Sequence, residues 1–450
     1  MPDGAPMMDP DIVAGRIVRL LEDQRPGAVK PLLAALEKLA PDYKTLPMLR
    51  AACWCQLGDV PQALGILEDA LTRDPKNAAA HLHRAEILFG QADYAGAASA
   101  AADAVLVAPQ LARAKAILGL ALFRLGLYDQ SRLCLEESFA ADPGNVDAGL
   151  ALAVLSPDAA VPILTRVIAL RPHLVIPRNM LMRRLFSDRD IEGALRIGEQ
   201  ARQDGVADIE TFGLLAFAQL EAALWDEAAM SIARVRSLKP DHAWGARLAA
   251  GLAGRETGVI TLPLQRNAAA FEESLFSGGT ILPGTFRSLL QGARAAGPVL
   301  DLFCGTGLNA IAAQDICPGP WVGWEPDHVL LQLSRERGLY QRLESGWPLD
   351  YLGRERYSII LLNEAFAYTT FIAPYFVRLR AALAAGGIAL AAVPTGADKL
   401  SGHGLFTHSE SNFAAQAAEA GLALNIARTG ILRRVEGIPM HGFIASLQLL

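Results

Sequence analysis

Residues 91–109, QADYAGAASAAADAVLVAP, have one counterpart 34 positions earlier, at 57–75, and another 34 positions later, at 125–143. Each segment places a small residue 12 positions before its final proline and another 5 positions before it. Pro41 extends the same spacing by one unit. Small residues at these points let two helices approach closely, and the proline ends the second helix. The spacing therefore predicts an array of helical hairpins.

The array resembles the tetratricopeptide repeat (TPR), whose period is also 34 residues. Looser units follow around residues 191–202 and before Pro172 and Pro240, which predicts six or seven units over residues 10–255. One repeat cannot bury its apolar face alone, so stacked repeats share a core and curve into an all-α solenoid. The resemblance implies that the inner wall of the solenoid receives a protein or peptide segment.

The predicted inner wall carries several basic side chains, which either bind that guest or are ordinary solvated residues: Arg50, His81, Arg84, Lys115 and Arg183. No aromatic or asparagine ladder identifies a guest.

Composition argues against several classes of function. The 450 residues are 52% apolar and carry a net charge of −6, with no basic run of the kind that tracks a nucleic acid. The first eleven residues lack a secretory pattern, and no uncharged stretch reaches the ~18 residues of a membrane span, so we expect a cytoplasmic protein. Five cysteines without a CxxC pair predict buried thiols in a reducing compartment and no metal site.

The second half of the chain has a different pattern. Glycines over residues 251–261 predict a linker near 251–265, and the second domain is predicted at 266–450, with 266–296 as its lid. Beyond the lid, predicted strands alternate with helices, which indicates a mostly parallel sheet. The predicted strands are 298–303, 321–325, 357–362, 387–393, 423–434 and 440–449. The turn at 435–439 is too short for a crossover, so the last two strands must be antiparallel.

The first strand leads into a glycine-rich loop, VLDLFCGTG at residues 299–307. The loop's GxGxxA pattern fits a nucleoside cofactor, including a dinucleotide. Glu325 follows Gly305 by 20 residues, where the ribose of either cofactor would be bound by a carboxylate. Asp301, at the tip of the strand, favours a cofactor with a cationic amine over one with a pyrophosphate.

This motif and the antiparallel last pair resemble the class I S-adenosyl-L-methionine (SAM) methyltransferases, whose α/β, Rossmann-like domain has a seven-stranded sheet with a reversed last strand. The resemblance implies that Gly305 and Gly307 let the backbone approach the methionine part of SAM. It implies that Glu325 binds both ribose hydroxyls. The other cofactor contacts that it implies are Asp301, Phe303, Cys304, Pro326 and Asn363.

Over residues 266–449 the chain is similar to predicted bacterial methyltransferases that carry TPR repeats in front. Segments such as 337–340, RGLY, and 407–411, THSES, carry this resemblance. Two positions depart from the pattern. Trp347 replaces the Asp expected at the adenine amino group, with Asp350 three residues on, and the indole either stacks on adenine or packs in the core. Asn363-Glu364 replaces a small residue followed by Asp.

Methyl transfer requires alignment and exclusion of water, and a base only where the acceptor atom is protonated. Candidate bases are Glu364, Tyr368, His403 and His408, although both histidines could be structural. The sequence favours a SAM-dependent methyltransferase whose TPR array recruits a protein or peptide acceptor. The alternatives are a TPR interaction protein with a non-catalytic SAM-binding domain, a small-molecule methyltransferase, and a nicotinamide-dependent dehydrogenase.

Overall fold

The computed structural model describes residues 9–261, 265, 267–293, 296–346 and 348–450. They fall into two compact units, Met1–Pro177 and Arg178–Leu450. Within the described residues, no helix has both the length and the apolar character needed to span a membrane.

The first unit is a succession of helices joined by short turns. Helices α4, α6 and α8 each end two residues before the prolines of the 34-residue repeat. The prediction of TPR-like helical repeats is therefore confirmed. The helices of this unit are α1 (Pro10–Glu22), α2 (Pro26–Leu39), α3 (Leu46–Gln56), α4 (Val60–Arg73), α5 (Ala78–Gly90), α6 (Tyr94–Val107), α7 (Ala112–Arg124), α8 (Tyr128–Ala141), α9 (Val146–Leu155) and α10 (Ala160–Leu170).

The small residues of the repeat lie at close contacts between helices. Ala63 and Ala97 are fully buried, and so is Ser131, which takes the same place in the third unit. The Ser131 hydroxyl donates a hydrogen bond to the carbonyl oxygen of Gly119 at 2.7 Å. Ser138 likewise donates to the carbonyl oxygen of Ala112 at 2.9 Å. Because each buried hydroxyl has a partner, serine replaces alanine here without an unsatisfied polar group.

Five more helices precede the sheet and belong to the same compact unit as the sheet. They are α11 (Ile176–Ser187), which begins at the boundary, α12 (Ile191–Gln203), α13 (Ile209–Glu221), α14 (Trp225–Leu238) and α15 (Ala243–Thr257). The amide N–H of Gly402 donates to Glu221 at 2.6 Å, and the rings of Phe217 and His403 meet edge to face at 4.9 Å. The predicted domains, 10–255 and 266–450, stay a prediction, and the compact units divide at a different place.

The mixed sheet follows two helices of the segment predicted as a lid, α16 (Ala268–Ser277) and α17 (Leu282–Ala293). Its strands are β1 (Val299–Leu302), β2 (Trp321–Trp324), β3 (Arg342–Glu344), β4 (Tyr357–Leu362), β5 (Leu383–Pro394), β6 (Leu422–Val435) and β7 (Ile438–Leu449). The helices among them are α18 (Leu308–Ala313), α19 (His328–Arg337), α20 (Pro348–Tyr351), α21 (Ala373–Ala382) and α22 (Glu410–Glu419), with a 3-10 turn at Ala365–Tyr368.

The strand order is β3-β2-β1-β4-β5-β7-β6, and β7 is antiparallel to both of its neighbours. The predicted antiparallel last pair is confirmed. Glu436 and Gly437, at φ 53° and 77°, form the two-residue turn between β6 and β7, which suits the twist of a hairpin. Apolar clusters cover both faces of the sheet, with Leu300 in one cluster and Val299 in the other.

The register of the parallel strands determines where the site lies. Leu302, the last residue of β1, pairs with Trp324 at the end of β2 and with Leu362 at the end of β4. The loops that follow these three strands therefore emerge side by side at the carboxyl edge of the sheet, where open α/β sheets bind their ligands.

Candidate functional site

A cleft lies at this edge of the sheet. Its walls come from the glycine loop after β1, the segments after β2 and β4, the two lid helices, and one residue of β6, Arg433. Every residue that lines it belongs to the second compact unit. The cleft combines apolar residues from the lid with a few polar groups, which is the usual composition of a small-molecule site.

The two loop glycines have different surroundings. A Cβ atom at Gly305 would meet only a ring carbon of Phe271, at 3.7 Å, so a side chain there would stand in the cleft. A Cβ atom at Gly307 would crowd Tyr340 at 3.2 Å and Leu339 at 3.3 Å, in the packed wall behind the loop. Both glycines have positive φ, at 56° and 92°. The cleft thus depends on Gly305 for open space, and the loop depends on Gly307 for its turn.

Glu325 places a buried carboxylate in the cleft. Its side chain is only 4% exposed, and its two oxygens accept hydrogen bonds from the amide N–H groups of Gly305, at 2.8 Å, and Asp327, at 2.9 Å. Burial raises the pKa of Glu325 to about 7, and repulsion from Asp327 and Asp301 adds to this effect, while the two amide bonds oppose it. Glu325 therefore titrates near neutral pH.

Asp301 lies behind the cleft rather than on its lining. Its carboxylate is fully buried and accepts hydrogen bonds from Asn309 at 3.0 Å, Asn363 at 2.8 Å and the hydroxyl of Tyr340 at 2.8 Å. Burial raises the pKa of Asp301 to about 6 against the effect of these bonds. The two asparagines do line the cleft, so Asp301 orients them from beneath.

The sequence predictions did not include Asn309 or the hydroxyl of Tyr340. The signal for Asn309 was its place in the first turn of α18, directly after the glycine loop, where a side chain can point back to the tip of β1.

Other predicted cofactor contacts divide into three groups. Phe303 and Cys304 line the cleft, and the Phe303 ring stacks on Tyr368 at 5.3 Å. Burial raises the pKa of the Cys304 thiol well above its usual value, so the thiol is neutral. Pro326 is not among the lining residues. Trp347 and the side chain of Asp350 lie outside the described residues.

Neither histidine among the candidate bases lines the cleft. His403 donates from Nε2 to the carbonyl oxygen of Pro439 at 3.2 Å, and burial lowers its pKa to about 3. His408 donates from Nε2 to the carbonyl oxygen of Phe366 at 2.8 Å, and burial lowers its pKa as well. Both rings are buried structural groups at these positions.

Glu364 and Tyr368, the other two candidate bases, do line the cleft, together with Arg433. Arg433 donates to both carboxylate oxygens of Glu364, from Nε at 2.9 Å and from Nη2 at 2.8 Å. Glu364 has a left-handed backbone with φ 52°. Sequence reasoning missed Arg433, since β6 brings it from 69 residues away and nothing local distinguishes it from Arg434 beside it.

A polar contact holds α16 over the glycine loop. Glu272 accepts hydrogen bonds from Arg337 at 2.6 and 3.0 Å and from the hydroxyl of Thr306. These bonds, that of Arg337 above all, lower the pKa of Glu272. No residue of α16 is fully buried, yet Phe271 and Leu275 line the cleft. The helix has the position expected of the predicted lid, and polar contacts contribute to holding it there.

The predicted wall cations of the repeats are engaged by neighbouring residues. Arg50 pairs with Glu37 at 2.7 Å and Lys115 with Glu137 at 2.5 Å. The remaining contacts are Arg84 with Glu68 at 4.0 Å, His81 Nε2 with the carbonyl oxygen of Pro75 at 2.9 Å, and, in the second unit, Arg183 with Glu210.

No protein-family model matches this chain, and no curated protein matches it. Several solved structures are similar to parts of it. YrrB, a TPR protein with an unusual peptide-binding site, is 16% identical, with 39% of this chain and 93% of that chain covered and a TM-score of 0.36. PilF of Pseudomonas aeruginosa is 19% identical, with 44% and 91% covered and a TM-score of 0.38.

YcgJ of Bacillus subtilis is 13% identical, with 37% of this chain and 95% of that chain covered and a TM-score of 0.30. At such scores these similarities carry no argument about activity, and the description of the repeats rests on the helices themselves.

Proposed function

We propose that the chain is a SAM-dependent methyltransferase whose TPR array recruits a protein or peptide acceptor. One observation carries the proposal: Gly305, open to the cleft, stands next to the buried carboxylate of Glu325 at the carboxyl edge of the sheet. The reversal of β7 relative to both neighbours agrees with the class I topology.

The residues present fit the cofactor. Glu325, once ionised, can accept hydrogen bonds from ribose hydroxyls in addition to its two amide donors. The open side of Gly305 leaves space beside the backbone for the methionyl part. Asp301 contributes negative charge behind the asparagines, which favours a cationic group at this end. SAM, when bound, supplies an electrophilic methyl group.

The chain's own residues would align the acceptor and exclude water. Phe271 and Leu275 of the lid form an apolar cover over the cleft, and a dry site makes each remaining polar contact stronger. The stacked rings of Phe303 and Tyr368 and the ion pair of Glu364 with Arg433 also line the cleft. We assign these four residues to the acceptor, because none of them supplies a hydrogen bond to the Glu325 carboxylate.

Thermal unfolding with added ligands tests this proposal. A ligand that binds only the folded protein raises its melting temperature. We expect S-adenosylhomocysteine (SAH) and SAM to stabilise the chain and NAD to leave it unchanged. Stabilisation by NAD alone would support the dehydrogenase, and no response to any of the three would contradict the proposal.

A second candidate function is an interaction protein whose SAM-binding domain lacks activity. It is favoured by the enclosure of Asp301, since all three of its hydrogen-bond donors come from the protein. Incubation of the full chain with cell extract and methyl-labelled SAM separates the candidates. Label in the protein fraction supports the leading proposal, label in small molecules supports a small-molecule methyltransferase, and binding of SAM without any transfer supports the interaction protein.

A further inference from the structure

Arg433 keeps hydrogen-bond donors free in the cleft. Its Nε and Nη2 atoms are used on Glu364, and Nη1 has no hydrogen-bond partner among the described residues. The side chain is 14% exposed and lines the cleft. Arginine keeps its charge in a protein, so these N–H groups are open to an acceptor that a ligand in the cleft can supply.

The Tyr368 hydroxyl is a second donor at the same place. It lines the cleft next to Arg433 and has no hydrogen-bond partner in the described part of the chain. Burial, followed by the charge of Glu364, raises the pKa of Tyr368 above its usual value. The hydroxyl therefore keeps its proton at neutral pH and can donate it to an oxygen acceptor.

Arg247 of α15 adds positive charge behind these two groups. Its Nε donates to the carbonyl oxygen of His403 at 3.3 Å, and its Nη2 is buried without a hydrogen-bond partner among the described residues. Burial and repulsion from Arg433 lower the pKa of Arg247 to about 10. Two carboxylates act on it in the opposite direction, the exposed Glu436 and Glu364, which is already bonded to Arg433.

We propose that Arg433 and Tyr368 bind a carboxylate of the acceptor in the cleft, so that the acceptor is an organic acid or an acidic protein side chain. The acceptor role rests on the proposed methyltransferase function. A carboxylate has planar oxygens that match the N–H groups of a guanidinium. It would accept from Arg433 Nη1 and from the Tyr368 hydroxyl, and its charge would balance that of Arg247. The stacked ring of Phe303 offers a flat apolar surface to the rest of the molecule.

The test uses small probes on the full chain with saturating SAH. Binding of 4-fluorobenzoate is followed by fluorine NMR, with 4-fluorobenzamide as its neutral counterpart. We expect the acid to bind at least tenfold more tightly than the amide. N-acetylglutamate amide, which represents a protein side chain, is then titrated in competition, and the tighter of the two acids identifies the source of the acceptor.

Variants separate charge recognition from folding. Arg433→Gln alone leaves Glu364 buried and unpaired, so we pair it with Glu364→Gln, which keeps the net charge of the site. The double variant should lose the preference for the acid while it keeps its affinity for SAH. Tyr368→Phe should lower the affinity for the acid several-fold and leave the affinity for the amide unchanged. Arg434→Gln, at the exposed neighbouring position, should change neither.

The outcomes are distinguishable from failure of the proposed function, because SAH binding is measured on the same samples. Equal affinity for acid and amide in a chain that binds SAH overturns the carboxylate site and leaves the methyltransferase proposal intact. A preference for the acid in a chain that does not bind SAH overturns the acceptor role. A preference that survives in the double variant also overturns the assignment to Arg433.

Discussion

The repeat wall and the cleft contain the same types of charged residue but differ in how these residues are paired and buried. In the wall, Lys115 meets Glu137 at 2.5 Å and Arg50 meets Glu37 at 2.7 Å, and all four side chains keep contact with solvent. In the cleft, Arg433 satisfies Glu364 and still has Nη1 free, while Glu325 is buried with only backbone donors. Buried polar groups normally find a partner within the protein. Arg433 lines the cleft, where a ligand can supply the acceptor for its free Nη1.

Burial explains why charged groups should contribute more to binding in the cleft than to stability in the repeat wall. Exposed ion pairs contribute little, because water and salt screen them. Buried carboxylates are shifted by desolvation, as the raised pKa values of Glu325 and Asp301 show. Substitutions in the cleft should thus have large effects on ligand binding, and substitutions in the wall should have small effects on stability alone.

The largest effect is expected for Gly305→Val. A branched side chain would stand in the cleft, so we expect SAH affinity to fall more than ~100-fold, or about 3 kcal/mol, in a calorimetric titration. Valine at φ 56° also strains the backbone, at a cost of about 1–3 kcal/mol. Gly338→Val is the matched control, because Gly338 has φ 65° and open space away from the cleft lining. SAH binding by Gly305→Val at wild-type strength would show that the ligand lies elsewhere.

Glu325→Ala should have the next largest effect. Loss of hydrogen bonds to a charged group should weaken SAH binding by about 1.5–3 kcal/mol, which lowers the affinity roughly 10- to 150-fold. Calorimetry on this variant is compared with Glu336→Ala, whose side chain is exposed on α19. Unchanged affinity in the Glu325 variant would remove this residue from the ribose role.

The pH dependence of SAH binding also tests the role of Glu325. Ribose hydroxyls donate to the ionised form of Glu325, and the pKa of this group in the free protein is about 7. SAH affinity should therefore rise about tenfold from pH 6 to pH 8 and then level off. Glu325→Gln should flatten the profile. A wild-type profile as flat as that of the variant would mean that Glu325 does not titrate on binding.

The raised pKa of Glu325 also predicts how stability depends on pH. The unfolded carboxyl ionises near 4.5 and the folded one near 7, so between these values the folded state holds the extra proton. The free energy of unfolding of the unliganded protein should then decrease as pH rises through this window. Asp301, raised from 3.8 to about 6, acts in the same direction.

A smaller effect is expected for the contact between α16 and the glycine loop. Glu272→Gln removes the charge that binds Arg337 and keeps the size of the side chain. Charge-assisted hydrogen bonds are the stronger ones, so the lid should open more often and SAH should dissociate several-fold faster in stopped-flow measurements. Glu273→Gln, its exposed neighbour, is the control. Equal dissociation rates in both variants would contradict the role of α16 as a lid.

The smallest effect is expected in the repeat wall. A double-mutant cycle on Lys115 and Glu137, measured by denaturant unfolding, should give a coupling energy of about 0.2–1 kcal/mol. The affinity for SAH should stay unchanged in all three variants. A coupling energy well above this range would mean that the wall pair is as strong as a buried one, and the contrast between the two regions would fail.

Local signals in the sequence predicted most of the fold. Strand 357–362 was predicted to the residue, since polar residues bound it on both sides. Three elements were missed or misplaced. β3 has only three residues, too few for a period. α15 continues to Thr257, through glycines that had predicted the start of a linker near residue 251. β5 begins at Leu383, four residues before the predicted start of this strand at 387.

The site was predicted only in part, because its contacts are not local. The loop glycines and Glu325 follow from spacing along two adjacent parallel strands. The enclosure of Asp301 depends on Tyr340, which lies 39 positions away, and the free donors of Arg433 depend on β6. His403 was a candidate base, yet its ring packs edge to face on Phe217 of α13. A local sequence pattern cannot predict these contacts between distant residues.

A crystal structure of the full chain with SAH tests the central claim most directly. We expect the ribose hydroxyls within hydrogen-bond distance, ~2.6–3.2 Å, of the Glu325 carboxylate, and the amino-acid end of the ligand against the open side of Gly305. A cleft that stays empty at saturating SAH, or a ligand whose ribose lies away from Glu325, would contradict it.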